Sequence, residues 1–318
     1  FESAFRASRG ETIDEHRDRV SKLWETFNRV ACENPYSWVQ NPMTAEEIRD
    51  PGTSNRLVGF PYTKAMNSNW DLDQAAALIV CSAEAAEAAG VPRDRWLFPH
   101  SGTDGADTNF VSNRADLHSS PAIRVAGRKA MALAGVTPDD IDHIDLYSCF
   151  PSAVQIAATE MELGLDRQLT QTGGLTFAGG PLNNYVTHSI ATMANVLRED
   201  AGTTGLCSAN GGYITKHAFG LYSTNPPSNG FQHEDCQVEI DAFPSVDLDA
   251  EHVGSGTIEA YTVMHGADGP ERGLASVRTP NGRQWAGTSD LPLMESMMTE
   301  EHVGRSVEVL PDFSFELV

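Results

Sequence analysis

The chain has 318 residues, 40% of them hydrophobic and 21% charged, the proportions of a folded protein with a sizeable core. Its formal net charge of −22 and isoelectric point near 4.7 exclude the basic surface that nucleic acid or an anionic membrane would need. No apolar run is long enough to span a membrane or reads as a signal peptide, and five scattered cysteines without a CxxC pair exclude a zinc site or a disulfide framework and point to a reducing, cytoplasmic setting.

In chain order, residues 1–34 are predicted helical. Thr12 is an N-cap with Glu15 completing a capping box, and Ile13, Val20, Leu23, Trp24, Phe27 and Val30 recur at helical spacing. Thr44 caps a short helix through Ile48, and residues 49–69 read as loop. Residues 75–81, an unbroken apolar run, are predicted to be a buried strand. Residues 83–89 and 121–135 follow as helices.

The densest information lies between Ile141 and Tyr222, in three blocks. Residues 141–150 read as a strand and sharp turn leading into a helix over 152–163. Residues 173–182 form a glycine-rich loop before a helix over 185–197. Residues 207–213 carry a glycine pair between two hydrophobic runs. Loops at strand ends that feed helices are where α/β proteins place ligands. Beyond a break at residues 225–230, strands over 256–264, 273–279, 283–286, 306–310 and 313–318, with a short helix over 291–298, suggest a small β-barrel of OB-like style.

These blocks resemble the thiolase superfamily, in particular its lipid-transfer-protein-like and thiolase-like type 1 branch. Residues 141–150 look like the segment that ends in a His-Asp-Cys-Phe or Asn-Glu-Ala-Phe motif. Residues 173–182 look like Gly-Gly-Leu followed by Gly-His-Pro-Leu, and Asn210-Gly211-Gly212 resembles the late glycine-rich loop. The resemblance implies a layered α/β fold corresponding to the C-terminal half of a thiolase. Residues 1–60 would end its loop domain, residues 61–230 would form the α/β half, and residues 240–318 would form the OB-like extension. It also implies an acyl-coenzyme A thioester as substrate, no metal, and acyl transfer by Claisen condensation or its reverse. The family's N-terminal half, with its nucleophilic cysteine, would be supplied by the same or a separate chain, and the sequence leaves the oligomeric state open, a homo-oligomer included.

Two departures shape the functional expectation. The family's His or Asn falls on Tyr147, and its catalytic His falls on Gly180, which has no side chain to act as a base. Tyr147, His188 and Cys207 are therefore the candidate catalytic residues. Gly173, Gly174, Gly180, Asn183, Asn210, Gly211 and Gly212 are the candidate coenzyme A-binding residues, on the expectation that glycine loops bring backbone N–H groups close to a thioester oxygen. On that basis a side chain at Gly174 should disturb binding before stability. Cys149 reads as a small buried side chain under the turn, and His217 as a residue facing water. Three readings stand: a degenerate acyl-coenzyme A acyltransferase, a retro-aldolase using Tyr147, and a non-catalytic acyl-coenzyme A-binding or scaffolding protein.

Overall fold

The computed structural model describes residues 1–318. Helices α1 (Glu2–Arg9), α2 (Ile13–Glu33) and α3 (Ala45–Arg49) open the chain. The capping box at Thr12 forms: its hydroxyl accepts from the Glu15 amide at 3.2 Å, and the Glu15 carboxylate accepts from the Thr12 amide at 2.9 Å. The apolar face of α2, including Val20, Trp24 and Phe27, joins the main core. Next come β1 (Leu57–Gly59), β2 (Tyr62–Thr63), α4 (Ala83–Ala88), β3 (Phe98–Ala106) and α5 (Pro121–Ala134). The central region holds β4 (His143–Asp145), α6 (Pro151–Glu160), α7 (Gly174–Phe177), α8 (Tyr185–Glu199), and the hairpin of β5 (Thr204–Gly211) and β6 (Lys216–Ser223). The chain ends with β7 (Gln232–Asp235), α9 (Gln237–Ile240), β8 (Gly254–His265), β9 (Pro270–Arg278), β10 (Arg283–Thr288), α10 (Leu291–Thr299), β11 (Ser306–Val309) and β12 (Phe315–Leu317).

Two sheets carry the architecture. The first is mixed, in the order β4-β5-β6-β3-β7, with β4 parallel to β5, β7 parallel to β3, and the inner pairs antiparallel. On one face Ile144, Leu206 and Phe219 meet Ile123 and Ala126 of α5 and Ala153 and Ala157 of α6 in a cluster of 32 buried residues. On the other face Cys207 meets Met193 and Leu197 of α8. This is a layered, mixed α/β fold, as the sequence led us to expect.

The second sheet is built on the twelve-residue β8, which pairs with β9 along its length. β10 extends that side, while β11 and β1 share the other edge of β8. The expected closed barrel is not what forms. Between β10 and β12 there is one isolated bridge, Gly287 with Ser314, in place of a ladder. With four and three residues, β11 and β12 are too short to carry a full seam. Arg283, whose side chain is fully buried, ties the second sheet to the turn that follows β3. Its Nη1 donates to the carbonyls of Val111, Ser112 and Arg114 at 3.0, 2.9 and 2.8 Å, and its Nε pairs with Glu259.

Residues 75–81 correct a second expectation. They belong to neither sheet, their amides make no backbone hydrogen bonds, and Ile79 and Val80 are 96% and 90% exposed. An apolar, β-branched run needs a neighbouring strand to become buried, and no strand of this chain lies beside it. Conversely, β3 was not anticipated, because Phe-Pro-His-Ser-Gly-Thr-Asp-Gly-Ala is a poor strand sequence by composition. It is held inside the sheet by its neighbours, and the buried hydroxyls of Ser101 and Thr103 each donate at 2.7 Å to carbonyls of Ala130 and Ala126 on α5.

Candidate active site

The end of β4 is the centre of the site. β4 runs parallel to β5 with Asp145 beside Cys207, so Tyr147 emerges just past the sheet edge. Its amide donates to Ser208 Oγ at 2.8 Å. Pro151 then starts α6, where a missing N–H costs nothing. Tyr147 is half-buried, with its ring edge-on to Tyr185 at 5.4 Å. Burial, with a smaller contribution from the Cys149 sulfur, pushes its phenol up to about 12. At neutral pH it is therefore a proton donor and not a base.

Behind Tyr147, the fully buried carboxylate of Asp145 organises the glycine-rich loop. Its Oδ2 accepts from the amides of Gln171 (2.7 Å) and Thr172 (3.0 Å) and from the hydroxyls of Thr170 and Thr172, both at 3.1 Å. Its Oδ1 accepts from the Tyr185 phenol at 3.0 Å. The two threonine hydroxyls in turn accept from the amides of Gly173 and Gly174, at 3.0 and 3.1 Å. Gly179 N–H donates to Gly174 O at 3.3 Å and Gly180 N–H to Asn69 O at 2.8 Å.

Every glycine amide of this loop is thus already bonded within the chain, and all four glycines are buried. Their small size serves packing. A Cβ on Gly174 would lie 2.6 Å from Phe27 and 2.7 Å from Ser148 Oγ, and one on Gly173 would overlap Ala31 of α2. A side chain at Gly180 would press on Leu175 at 3.0 Å. These amides are committed within the chain, and the absence of side chains here serves packing.

The other candidates separate. Cys207 is buried under α8, and burial, followed by the charge of neighbouring Asp145, drives its thiol far above the usual range. His188 lies one turn into α8 with Nε2 3.1 Å from Asn184 Nδ2, and partial burial lowers its pKa. Asn183 is exposed. Gly211 and Gly212 make the β5–β6 turn, where Gly212 has φ +64°. Asn210 reaches the site: its Nδ2 donates to Cys149 Sγ at 3.6 Å. Burial pushes that thiol up to about 12.

Two features escaped the sequence reading. The Asp145–Tyr185–Thr172 cage carries no motif of its own. His217, expected to face water, is 5% exposed and lies directly opposite Asn210 on the hairpin. The signal for it in the sequence is the two-residue spacing of His217, Phe219 and Leu221, which puts all three on one face of β6. No group of three His, Cys, Asp or Glu side chains is arranged to hold a metal ion. No helix is long and apolar enough to cross a membrane.

A layered α/β sheet with a glycine-rich loop held at the end of β4, beside a second sheet built on β8, is the architecture of a thiolase-like protein. Residues 103–168 match the family described as thiolase C-terminal domain-like, and residues 235–313 match the thiolase-like protein type 1 additional C-terminal domain. A crystal structure of a monomeric SCP2-thiolase-like protein type 1 from Mycobacterium smegmatis superposes with a TM-score of 0.89 at 34% identity, covering 100% of this chain and 71% of that one. The chain belongs to the thiolase-like protein type 1 family.

More distant relatives include an acetyl-CoA acetyltransferase of Methanocaldococcus jannaschii, 36% identical over 129 residues, which are 40% of this chain and 31% of the relative. A 3-ketoacyl-CoA thiolase of Alcanivorax borkumensis is 30% identical over 188 residues, 57% of this chain and 44% of the relative. The chain thus spans less than half the length of either enzyme.

Proposed function

We propose that this chain forms the acyl-coenzyme A-handling half of a thiolase-like protein that breaks or makes a carbon–carbon bond next to a thioester, by retro-aldol or aldol chemistry and not by thiolysis. The observation that carries the reading is Tyr147. A protonated phenol stands at the end of β4 where the resemblance places a catalytic His or Asn, while Gly180 stands where a base would be.

In the cleavage direction a base takes the β-hydroxyl proton and the Cα–Cβ bond breaks. A carbonyl product leaves, and the electron pair passes into the thioester enolate. The Tyr147 phenol then stabilises the enolate oxygen by hydrogen bonding or returns a proton to Cα, and the Asn210 amide offers a second donor. Neither thiol of the site suits a nucleophile, since Cys149 is held up to about 12 and Cys207 is higher still. The base comes from a thiolase-like N-terminal half.

The same half would cover residues 75–81. Their exposed apolar character and unpaired amides support strand addition to a sheet outside this chain. A second reading, a non-catalytic acyl-coenzyme A binder, is favoured by the same high thiol pKa values and by the pairing of His188 with Asn184. Cleavage of a β-hydroxyacyl-coenzyme A by the protein assembled with its N-terminal half, alongside a dissociation constant for the thioester, separates the two. Binding without turnover on both aldol and acyl-transfer substrates rejects the enzyme reading.

A further inference from the structure

Asn210 on β5 and His217 on β6 form a directly opposed cross-strand pair. Both line a small cavity of about 10 Å³, together with Tyr147, Ile123, Ser208 and Phe219. Asn210 Oδ1 and His217 Nε2 are buried, and neither has a hydrogen-bond partner. Two such atoms left bare have lost their bonds to water with nothing in return, which is unfavourable.

Their chemistry restricts what can satisfy them. One Nδ2 hydrogen of Asn210 goes to Cys149 Sγ and the second stays available to the site, so the unpartnered atom at the cavity is the acceptor Oδ1. With the ring proton on Nδ1, toward the Ile214 carbonyl, Nε2 presents a lone pair to the cavity. Burial, with Arg114 adding to it, lowers the His217 pKa to about 3, so the ring stays neutral. The nearest carboxylate oxygen, Asp107 Oδ2, lies 3.9 Å from Nε2. It already accepts from the Ser120 hydroxyl and lies 3.3 Å from Arg114 Nη2. Two acceptors facing one cavity need a donor with two hydrogens, and the volume is that of about one water molecule.

We propose that one buried water donates to both Asn210 Oδ1 and His217 Nε2, and that this bridge fixes the Asn210 amide with its N–H side toward Cys149 and the site. His217 is then a positioning residue. It makes Asn210 a hydrogen-bond donor to a thioester oxygen, where the flipped amide would present a repelling carbonyl. This functional clause rests on the acyl-coenzyme A reading above; the water and the amide orientation do not.

The test has two arms. In a crystal structure at about 1.2 Å, a water within hydrogen-bond distance of both atoms is expected, with ¹⁵N spectra showing His217 protonated at Nδ1 alone. An empty cavity, or an Nε2–H tautomer, overturns the proposal. In the second arm, acetoacetyl-coenzyme A serves as the probe. His217→Leu fills the cavity and removes the acceptor, so its dissociation constant should rise about 10-fold or more, whereas His217→Gln keeps an acceptor and should stay within about 3-fold of the parent. Equal affinity in all three proteins rejects the positioning role. If the parent itself fails to bind the probe, the acyl-coenzyme A reading and with it the positioning role fail, and the water is still decided by the first arm.

Discussion

The Tyr185 phenol lies 3.0 Å from Asp145 Oδ1 and 2.6 Å from Thr172 Oγ1, so one hydroxyl from α8 joins the end of β4 to the glycine-rich loop. Burial first, and then the Asp145 charge, raises the Tyr185 pKa well above 10, which keeps the phenol protonated as a donor. Removing the hydroxyl strands a buried carboxylate oxygen. Tyr185→Phe should cost about 1–3 kcal/mol of stability, read as a lower urea midpoint at unchanged slope. An unchanged midpoint would mean that the cage is not a structural anchor.

Gly174 has φ +77° and no room for a Cβ between Phe27 and Ser148. Gly174→Val should lower stability by roughly 2 kcal/mol or more, because backbone strain and overpacking add. Affinity for a coenzyme A thioester should fall only as far as the folded fraction falls. A stable variant that loses binding would restore a direct ligand role for the loop.

Much of this was legible in the sequence, for reasons tied to distance along the chain. The Thr12–Glu15 box, the helix started by Pro121 and the turn from β4 into α6 are set by residues within a few positions of one another. Residues 75–81 are apolar, as read, but form no strand in this chain and are largely exposed. Whether such a run is buried depends on a strand that the local pattern cannot supply. β3 was missed because its Gly, His and Asp residues are tolerated only by hydrogen bonds to α5, β6 and β7, far away in sequence. The Asp145 cage was missed for the same reason: its donors lie 25 to 40 residues downstream. His217 was within reach, since its two-residue spacing with Phe219 and Leu221 puts it on their face of β6.

Acid sensitivity follows from Glu11. Partial burial raises its pKa, but bonds from Arg19, Arg9 and His16 outweigh this and hold it at about 2, against an ordinary value of 4.5. A carboxylate depressed in the fold contributes stability that is complete above pH 4.5 and is lost as pH falls toward 2. Allowing for solvent screening, Glu11→Gln should cost about 1–2 kcal/mol at pH 7. The gap from the parent should close by pH 2. Parallel pH–stability curves for the two proteins would contradict this assignment.

Residues 75–81 yield a contrast between two forms of the protein. Ile79 is 96% exposed in this chain, so Ile79→Asp here should change stability by no more than about 0.5 kcal/mol. In the protein assembled with a thiolase-like N-terminal half, the same change would place a charge within a paired, buried strand and cost about 3 kcal/mol or more. Equal small effects in both forms would show that the segment is not a docking strand.

The last prediction concerns Tyr147. The parallel register of β4 and β5 fixes where the strand ends, and the bond from its amide to Ser208 Oγ holds the backbone there. The ring packs edge-on against Tyr185, which is itself clamped by Asp145, so the phenol is aimed by a rigid support. Tyr147→Phe keeps that packing and removes only the hydroxyl. In the assembled protein with a β-hydroxyacyl thioester, turnover should fall by roughly 10²- to 10⁴-fold, the range for losing a positioned acid, with the melting temperature nearly unchanged. Because the phenol titrates at about 12, the pH–rate profile between 6 and 9 should show no ionisation belonging to Tyr147. A limb in that range that disappears in Tyr147→Phe would mean that the phenol works as a base, with its pKa lowered on assembly. Full activity in Tyr147→Phe would remove the enzyme reading's central residue and leave acyl-coenzyme A binding as the function of this site.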